Sequence, residues 1–189
     1  VIEVNEFPLP EIRERTLATR KIGLGVMGFA DMLLQLGIPY NSDEAISAAE
    51  AVMGFIADKA DEASAELGLQ RGPFPAFKGS IYDTNGRTAY RNASRTTIAP
   101  TGSLSILANC SSGIEPIFAL TYIRRILDRE DFLEVNSYFE EVARAGGFYS
   151  EQLMRALAQG TRLSDIEDVP DDVKRTFVCA YDISPEWHV

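Results

Sequence analysis

The stretch Ile98-Ala99-Pro100-Thr101-Gly102-Ser103-Leu104-Ser105 decides how the middle of the chain folds. Residues 95–99 contain three consecutive β-branched side chains, which is typical of a short buried strand. Pro100 ends that strand because it has no N–H to donate to a neighbouring strand. The Pro-Thr-Gly-Ser turn then leads into the apolar residues 104–108, so the sequence predicts a strand, a turn and a short helix.

A turn of this kind suits the binding of an anion. Several backbone N–H groups can point at one spot in front of the helix N-terminus, and Gly102 lets the backbone lie against a phosphate without a Cβ in the way. The hydroxyls of Thr101, Ser103 and Ser105 add donors, whereas no Walker lysine follows. Amides and hydroxyls would therefore hold the phosphate, with four arginines as candidate helpers: Arg91, Arg95, Arg124 and Arg125. On spacing alone, an ordinary capped turn remains the alternative.

Upstream of this turn, a helix is predicted from about Glu11 to Leu36. Pro8 and Pro10 precede it, and Gly37 supplies a stop. Its second half is apolar nearly all round, which is typical of a helix that packs on several sides. We therefore expect neighbouring elements around it.

Residues 23–28 of this helix match the G-x-G-x-x-G pattern of dinucleotide-binding loops, but the context differs. That fingerprint needs a buried strand directly before it, whereas residues 13–21 are charged and helix-prone. It also needs an acidic residue at the end of a second strand, whereas Asp43, Glu44 and Glu50 fall at or inside a helix. We therefore interpret the glycines as positions where helices or backbones approach closely.

A second, amphipathic helix is predicted between Asn41 and Gly68. Apolar residues recur three and four positions apart from Ile46 to Leu67, with charged residues largely between them. Asn41 with Glu44 indicates an N-terminal cap, and Gly68 ends the helix. Small residues on the apolar face favour packing inside a domain over a coiled-coil partner.

The other segments are predicted as a mixture of loop, strand and helix. Residues 70–94 are rich in Gly, Pro and aromatic side chains, which is typical of a long ordered loop or short turns. Strands are predicted around 117–123 and 176–181, and helices near 131–145 and 150–158. The predicted fold class is therefore α+β, dominated by helices.

Composition and charge exclude several classes of function. The chain has 189 residues, 46% of them hydrophobic, and a formal net charge of −10. Such an acidic domain is a poor candidate for non-specific binding to DNA, RNA or anionic lipid. No run approaches the roughly 18 apolar residues of a membrane span. The start of the chain carries no export signal, so we expect a cytoplasmic location.

Cysteine and histidine residues indicate no catalytic or metal site. Cys110 and Cys179 lie far apart without ligand neighbours, so both are expected to be reduced. For Cys110 a buried inert thiol is favoured over a reactive thiolate, and Cys179 is expected in a core strand. His188 has no supporting group that would make it a general base. No metal ion is predicted, because no acidic residues share metal-ligand spacing with a histidine.

Four motifs in this order and spacing resemble the C-terminal part of the ribonucleotide reductase catalytic barrel. They are residues 20–33, the stretch 98–105, the Ser-Ser-Gly-Ile-Glu-Pro motif at 111–116 and residues 180–189. Together they span nearly the whole chain. The Pro-Thr-Gly-Ser form is most similar to the adenosylcobalamin-dependent (class II) enzymes, whereas the di-iron class usually carries a Ser-Glu-Thr-Ser type of loop.

The resemblance implies a fragment of the ten-stranded α/β barrel, with residues 1–189 as a single segment of the catalytic barrel domain. It also implies that five residues bind the phosphates of the substrate, mostly through main-chain amides: Pro100, Thr101, Gly102, Ser103 and Leu104. The parent enzyme would convert ribonucleoside di- or triphosphates to deoxyribonucleotides for DNA synthesis, by thiyl-radical chemistry with adenosylcobalamin. The glycine run would belong to a helix that supports the barrel. The remainder of the barrel would be the partner of this segment, and a homodimer is the oligomeric state considered for the parent.

The sequence also departs from this family. The radical cysteine lies in an Asn-x-Cys-x-Glu pattern that residues 109–112 do not reproduce, and an effector-binding region and the redox-active cysteines of a C-terminal tail are also missing. No catalytic residue is therefore assigned, and we expect the segment alone to be inactive and not to bind adenosylcobalamin. Two alternatives remain: a non-catalytic helical scaffold or interaction module, and the equivalent segment of a class I (di-iron) large subunit.

Overall fold

The structure is a computed structural model that describes residues 1–83, 89–126 and 130–188, without the side chains of 124–126, 130 and 131. Its helices are α1 (Pro10–Thr19), α2 (Phe29–Leu36), α3 (Asp43–Arg71), α4 (Gly102–Ala108), α5 (Ser137–Ala145), α6 (Glu151–Ala158) and α7 (Asp171–Thr176). Short 3-10 turns lie at Pro75–Phe77, Leu163–Asp165, Ala180–Asp182 and Pro185–Trp187. None of the helices in these described ranges combines the length and the apolar composition that crossing a bilayer requires.

Two strands, β1 (Thr121–Ile126) and β2 (Glu130–Val135), form an antiparallel pair in which Thr121 faces Val135 and Ile123 faces Leu133. The fold class is therefore α+β and dominated by helices, as predicted. The chain divides into two compact units. Unit 1 comprises Val1–Gly25 and Ala49–Ala99, and unit 2 comprises Val26–Ala48 and Pro100–Val189.

The predicted single helix from Glu11 to Leu36 is wrong, because two helices occupy this stretch. α1 ends before Arg20, whose left-handed φ of 47° breaks the helical path, and α2 begins after Gly28, whose φ is 80°. The glycine run therefore lies in a non-helical segment, which corrects the expectation that it belongs to a helix. Glycine favours this break because it has a low helix propensity and tolerates positive φ.

The segment between α1 and α2 approaches another backbone closely. The Leu24 N–H donates to the Arg95 carbonyl at 2.8 Å, and the Thr97 N–H donates to the Leu24 carbonyl at 3.1 Å, which forms a parallel bridge. A Cβ at Gly25 would lie 2.6 Å from the Thr97 carbonyl oxygen, so only glycine fits there. The interpretation as close-approach positions is confirmed for Gly23 and Gly25, whereas Gly28 has only ordinary contacts and supplies a positive φ.

The predicted buried strand at residues 95–99 is wrong in its extent and its burial. In the described part of the chain it forms only an isolated bridge between Leu24 and Thr96. Ile98 is 65% exposed. The β-branched side chains favour an extended backbone, but a buried strand also needs neighbours that cover both faces.

The amphipathic helix is confirmed as α3, with a corrected start. It begins at Asp43, and the capping side chain is Ser42 rather than Asn41. The Ser42 hydroxyl accepts the Ala45 N–H at 3.1 Å. Ser is as good a cap as Asn, so the two adjacent candidates compete for the position.

The predicted end of this helix at Gly68 is wrong. α3 continues to Arg71, and Gly72 follows it with a φ of 80°. Gly68 is buried inside the helix, where the backbone of Ala89 leaves no room for a Cβ. The glycine is required by packing rather than by a helix stop.

The loop predicted at residues 70–94 is confirmed from Gly72 onward in the described residues, and 84–88 lie outside them. Aromatic side chains order it: Phe74 is 2% exposed and packs edge to face on Phe77 and Tyr82. Tyr82 packs in the same way on Tyr90. Such edge-to-face pairs stabilise a loop that has little regular secondary structure.

The core of unit 2 is built around Phe139 and Met154, which are both fully buried. Phe139 on α5 packs edge to face on Phe177, with 5.4 Å between ring centroids. Thr121, at the start of β1, is 3% exposed, and its hydroxyl donates to the Met154 carbonyl at 3.0 Å. The core therefore holds the strand pair in place against α6.

Three predicted elements in this unit need correction. The strand predicted at 117–123 begins only at Thr121, and the helix predicted at 131–145 begins only at Ser137 because residues before it form β2. Asn136 separates strand from helix, since its side chain accepts the N–H groups of Tyr138 and Phe139. The strand predicted at 176–181 is wrong: the Ala180 N–H donates to the Ile117 carbonyl at 2.8 Å, and a 3-10 turn follows.

Candidate functional site

The candidate phosphate loop, residues 100–104, changes direction at Thr101. This residue has φ 54° and ψ 24°, which is the left-handed region, and α4 begins at the next residue. The Thr101 carbonyl accepts the Ser105 N–H at 2.8 Å, which closes the first turn of the helix. The Thr101 hydroxyl accepts the Gly113 N–H at 2.7 Å and caps no amide of α4.

Three consecutive amides in this loop have no acceptor in the described part of the chain: those of Gly102, Ser103 and Leu104. The first N–H groups of a helix lack partners within the helix and carry its partial positive charge. Ser103 and Leu104 are exposed, and a Cβ at Gly102 would meet no atom within 4 Å. These N–H groups can therefore donate to the oxygens of an anion.

A cavity of about 520 Å³ adjoins α4 within unit 2. Gly102, Ser105 and Asn109 line it from α4, and Tyr122 and Glu134 line it from the strand pair. Of the five predicted phosphate ligands, Gly102 lies on this wall. The strand pair and α4 therefore face the same space.

The wall of this cavity is acidic. Its described lining includes the carboxylates of Asp31, Glu115 and Glu134 and no lysine or arginine. Burial, and secondly the charge of Glu115, raise the pKa of Tyr40, whose hydroxyl donates to the Ile114 carbonyl at 2.6 Å. Attraction of a phosphate to the loop would therefore rest on its backbone amides rather than on cationic side chains of this wall.

Two of the four arginines considered as helpers have other partners within unit 1. Arg91 donates to the carbonyls of Arg71 and Gly72 at 3.1 Å and pairs with Glu3 at 3.2 Å. Arg95 pairs with Asp61 and lies over the ring of Tyr90, with 4.3 Å from the guanidinium carbon to the ring centroid. The side chains of Arg124 and Arg125 lie outside the described residues.

Sequence reasoning missed the residues whose hydrogen bonds support the loop. Asp31 on α2 is 7% exposed, and its Oδ2 accepts the Ser111 N–H at 2.6 Å. The hydroxyls of Ser105 and Ser112 lie 2.9 Å apart, and Gly113 binds Thr101 as described above. A carboxylate in the most apolar stretch of the sequence was the available signal, because a buried charge needs a specific partner.

Both cysteines are free thiols. Cys110 is half-buried and lines the cavity next to α4. Cys179 precedes a 3-10 turn rather than lying in a core strand, since its N–H donates to the Asp182 carboxylate at 3.3 Å. Burial, and secondly the charge of Asp182, raise the pKa of the Cys179 thiol to about 11. This thiol is therefore poorly suited to act as a nucleophile near neutral pH.

Known proteins match this chain along its whole length. A family model described as the ribonucleotide reductase barrel domain matches residues 1–90 and 85–189. A Thermoplasma acidophilum protein named vitamin B12-dependent ribonucleoside-diphosphate reductase is 52% identical over 100% of this chain and 24% of its own length. The protein of that name from Mycobacterium tuberculosis (strain CDC 1551) is 44% identical over 100% of this chain and 27% of its own length. The chain therefore spans about a quarter of the length of these curated relatives.

A solved structure shares the fold. The Actinobacillus ureae class Id ribonucleotide reductase alpha subunit matches with a TM-score of 0.73 at 23% sequence identity. The match covers 94% of this chain and 31% of the alpha subunit, so the fold seen here is a fragment of that larger barrel. The chain belongs to the ribonucleotide reductase family, as part of its barrel domain.

Proposed function

We propose that the full-length protein reduces ribonucleotides to deoxyribonucleotides and that this chain supplies its phosphate-binding loop. The observation that carries the proposal is the run of three unpaired amides at Gly102, Ser103 and Leu104. The names of the relatives at 52% and 44% identity support a ribonucleoside diphosphate as substrate. Amides at the start of a helix suit the phosphates of such a molecule.

Each residue of the loop has a distinct role in this proposal. Pro100 ends the extended segment, and Thr101 turns the chain into α4. Gly102 leaves open space above its backbone, so a phosphate can lie directly against the amide. Ser103 and Leu104 contribute their N–H groups, with the Ser103 hydroxyl as a further donor.

The parent enzyme is proposed to be adenosylcobalamin-dependent, as the names of these relatives indicate. When bound, the cofactor supplies the radical that starts the reaction. No residue of this segment matches the radical cysteine on which that radical acts. We therefore assign cobalamin binding and radical chemistry to the rest of the full-length protein.

Residues 1–189 form one segment of the catalytic barrel domain in this proposal, and the remainder of the barrel is its partner. The segment alone is inactive, because no residue matching the radical cysteine lies in it. We infer a cytoplasmic location for the full-length protein, and a homodimer is the oligomeric state that we consider for it. The acidic sequence, with its net charge of −10, does not favour DNA or RNA as a ligand.

A reductase assay on the full-length protein tests this function. With adenosylcobalamin and a dithiol reductant, we expect the protein to convert CDP to dCDP, with CTP assayed in parallel to identify the phosphate chain it prefers. Absence of a deoxyribonucleotide product from both would contradict the proposal. Product formation that needs a di-iron subunit instead of adenosylcobalamin would support the class I alternative.

Binding measurements distinguish the proposed enzyme from the alternative of a non-catalytic helical scaffold. The phosphate loop predicts that the full-length protein binds CDP at least about tenfold more tightly than cytidine, because charge-assisted hydrogen bonds are stronger than neutral ones. Equal affinity for the two molecules, measured by equilibrium dialysis, would contradict phosphate binding and favour the scaffold.

A further inference from the structure

A carboxylate in the segment before α1 lies between two arginines of unit 1. Glu3 Oε1 lies 3.1 Å from Arg20 Nη2 and 3.2 Å from Arg91 Nη2. The two arginine side chains are only 14% and 15% exposed, whereas the side chain of Glu3 is 60% exposed. Guanidinium groups so far removed from water need a counter-charge. Among the described residues, Glu3 is the only acid that forms an ion pair with either arginine.

The two arginines are also bonded to the ends of two helices. Arg91 donates from Nη1 to the carbonyls of Arg71 and Gly72, at the C-terminus of α3, at 3.1 Å each. Arg20 directly follows α1, and its carbonyl accepts the side-chain N–H of Asn92 at 2.8 Å. A cation at a helix C-terminus is favoured by the helix dipole. The carboxylate therefore binds where the end of α1, the end of α3 and the chain around Arg91 meet.

A buried polar pair lies beside this contact. Ser64 on α3 and Asn92 are 3% and 6% exposed, and the Ser64 hydroxyl donates to Asn92 Oδ1 at 3.0 Å. The N–H of Asn92 donates to the Ser64 hydroxyl at 3.1 Å, and the N–H of Arg91 donates to the Ser64 carbonyl at 3.0 Å. These two N–H groups exchange with solvent only when residues 91–92 move away from α3. Their exchange rates therefore report on this contact.

Few other polar contacts hold the segment that carries Glu3. Val1 and Val4 are 94% and 82% exposed, and the N–H groups of Val4 and Asn5 donate to the Val1 carbonyl within the segment. In the described part of the chain, the hydrogen bonds and ion pairs from residues 1–5 to other residues are all made by Glu3. Its double ion pair is therefore the polar attachment of this segment to unit 1.

We propose that Glu3 is an electrostatic latch that holds the ends of α1 and α3 together in unit 1. Arg20 Nε is buried and has no acceptor among the described residues, so this guanidinium depends on the carboxylate. When the carboxylate leaves, two guanidiniums that both contacted one oxygen remain without a counter-charge and repel each other. Residues 91–92 then separate from α3. The latch is closed at low ionic strength and opens as salt screens the ion pairs. It lies wholly in unit 1 and does not depend on the phosphate loop.

Hydrogen exchange in the full-length protein tests the latch. Glu3→Gln is expected to accelerate exchange at the N–H groups of Arg91 and Asn92 about tenfold, because two charge-assisted contacts are lost. The intrinsic exchange rates of these two amides stay the same, since the substitution is remote from them in sequence. Glu6→Gln is the matched control, because it removes an exposed carboxylate of the same segment that forms no ion pair within the described ranges. It should leave both rates within about twofold of the wild type.

Salt distinguishes an electrostatic latch from a contact that only fills space. In the wild type, an increase in NaCl from about 0.1 to 1 M should accelerate exchange at Arg91 and Asn92 about threefold, because salt screens the attraction to Glu3. In Glu3→Gln the same increase should slow exchange, because salt then screens the repulsion between Arg20 and Arg91. The sign of the salt effect is therefore expected to reverse between the two proteins.

Three results would contradict the latch. The first is exchange at Arg91 and Asn92 that is the same in Glu3→Gln and the wild type. The second is a salt effect of the same sign in both proteins, which would show that the contact does not act through charge. The third is wild-type exchange that does not respond to salt, and this measurement tests the proposal alone if Glu3→Gln does not fold.

Discussion

At the candidate site, single residues contribute mainly through their backbone conformation rather than through charged side chains. Thr101 turns the candidate phosphate loop through its left-handed φ, and Gly102 leaves open space because it has no side chain. The arginines that the sequence suggested as helpers are either engaged within unit 1 or outside the described side chains. In our proposal main-chain amides bind the phosphates, which is the role that the family resemblance implies for this turn.

At the same scale, the raised pKa of Cys179 predicts an unreactive thiol. The thiolate is the reactive form of a cysteine. An ordinary cysteine with a pKa of 9.0 is half ionised at pH 9, whereas Cys179, with a pKa of about 11, is almost entirely neutral at that pH. Alkylation of Cys179 by iodoacetamide at pH 9 should be slower than that of an ordinary thiol by about fiftyfold, and it should still accelerate above pH 10. Peptide mapping by mass spectrometry in the full-length protein measures this rate.

Asp182→Asn is the control for the cause of this shift. It removes the second contribution to the raised pKa, so alkylation should become faster while burial is retained. Because the folded-state pKa lies above the ordinary value, the neutral thiol stabilises the fold below pH 9.0, and this contribution is lost as the pH rises toward 11. A Cys179 alkylation rate that levels off near pH 9 would contradict the shift.

Among the elements, α3 shows most clearly that close packing can require a glycine at a given position. A Cβ at Gly68 would collide with the Ala89 carbonyl and lie 3.3 Å from the Arg91 nitrogen. The Arg91 N–H donates to the Ser64 carbonyl at 3.0 Å, so this contact joins the helix to residues 89–92. By contrast, a Cβ at Gly54 in the same helix meets nothing within 4 Å.

Gly68→Ala is therefore expected to destabilise the contact between α3 and residues 89–92 by about 2 kcal/mol, because overpacking forces the two backbones apart. In the full-length protein, hydrogen exchange at Arg91 and Asn92 should accelerate about thirtyfold. Gly54→Ala is the matched control and should stabilise α3 by up to about 1 kcal/mol without affecting those amides. Equal exchange rates in the Gly68→Ala variant and the wild type would show that the close approach is not important for packing.

The elements also show what the sequence could and could not predict. The periodicity of α3 and the presence of a helix near residues 150–158 were readable because they depend on local spacing. The C-terminal end of α3 could not be predicted, because Gly68 and Gly72 carry the same local signal for a helix stop. Only the contact of Gly68 with Ala89 distinguishes the two glycines. Residues 131–135 pair with β1 rather than continuing into α5, and that choice depends on a partner strand.

The candidate site also has one part that local sequence predicts and another part that depends on contacts between residues far apart in the sequence. The turn at residues 100–104 and the start of α4 follow from the Pro-Thr-Gly-Ser sequence. The contacts of Asp31 with Ser111 and of Thr101 with Gly113 join residues 80 and 12 positions apart, and no periodic pattern encodes them. Sequence reasoning could therefore place the loop but not the residues that support it.

At the scale of the whole molecule, this chain is a segment of a larger barrel. It spans about a quarter of the length of its curated relatives and 31% of a solved alpha subunit with the same fold. Large apolar side chains are exposed in both units, among them Ile98 at 65% and Leu107 at 82%. Such surfaces fit a segment whose neighbours are the rest of the barrel. The function proposed here therefore has to be tested in the full-length protein.

The most direct test of the phosphate loop is the affinity of Gly102→Ala for CDP in the full-length protein. A Cβ at Gly102 meets no protein atom within 4 Å, and the position has no positive φ, so the substitution leaves the fold intact. Any phosphate lying against the Gly102 amide would meet that new methyl group. Gly54→Ala, which is equally free of contacts, is the control. The account predicts that Gly102→Ala weakens CDP binding at least about tenfold while Gly54→Ala does not. CDP affinity that is unchanged in Gly102→Ala would contradict the assignment of the phosphate site to this loop.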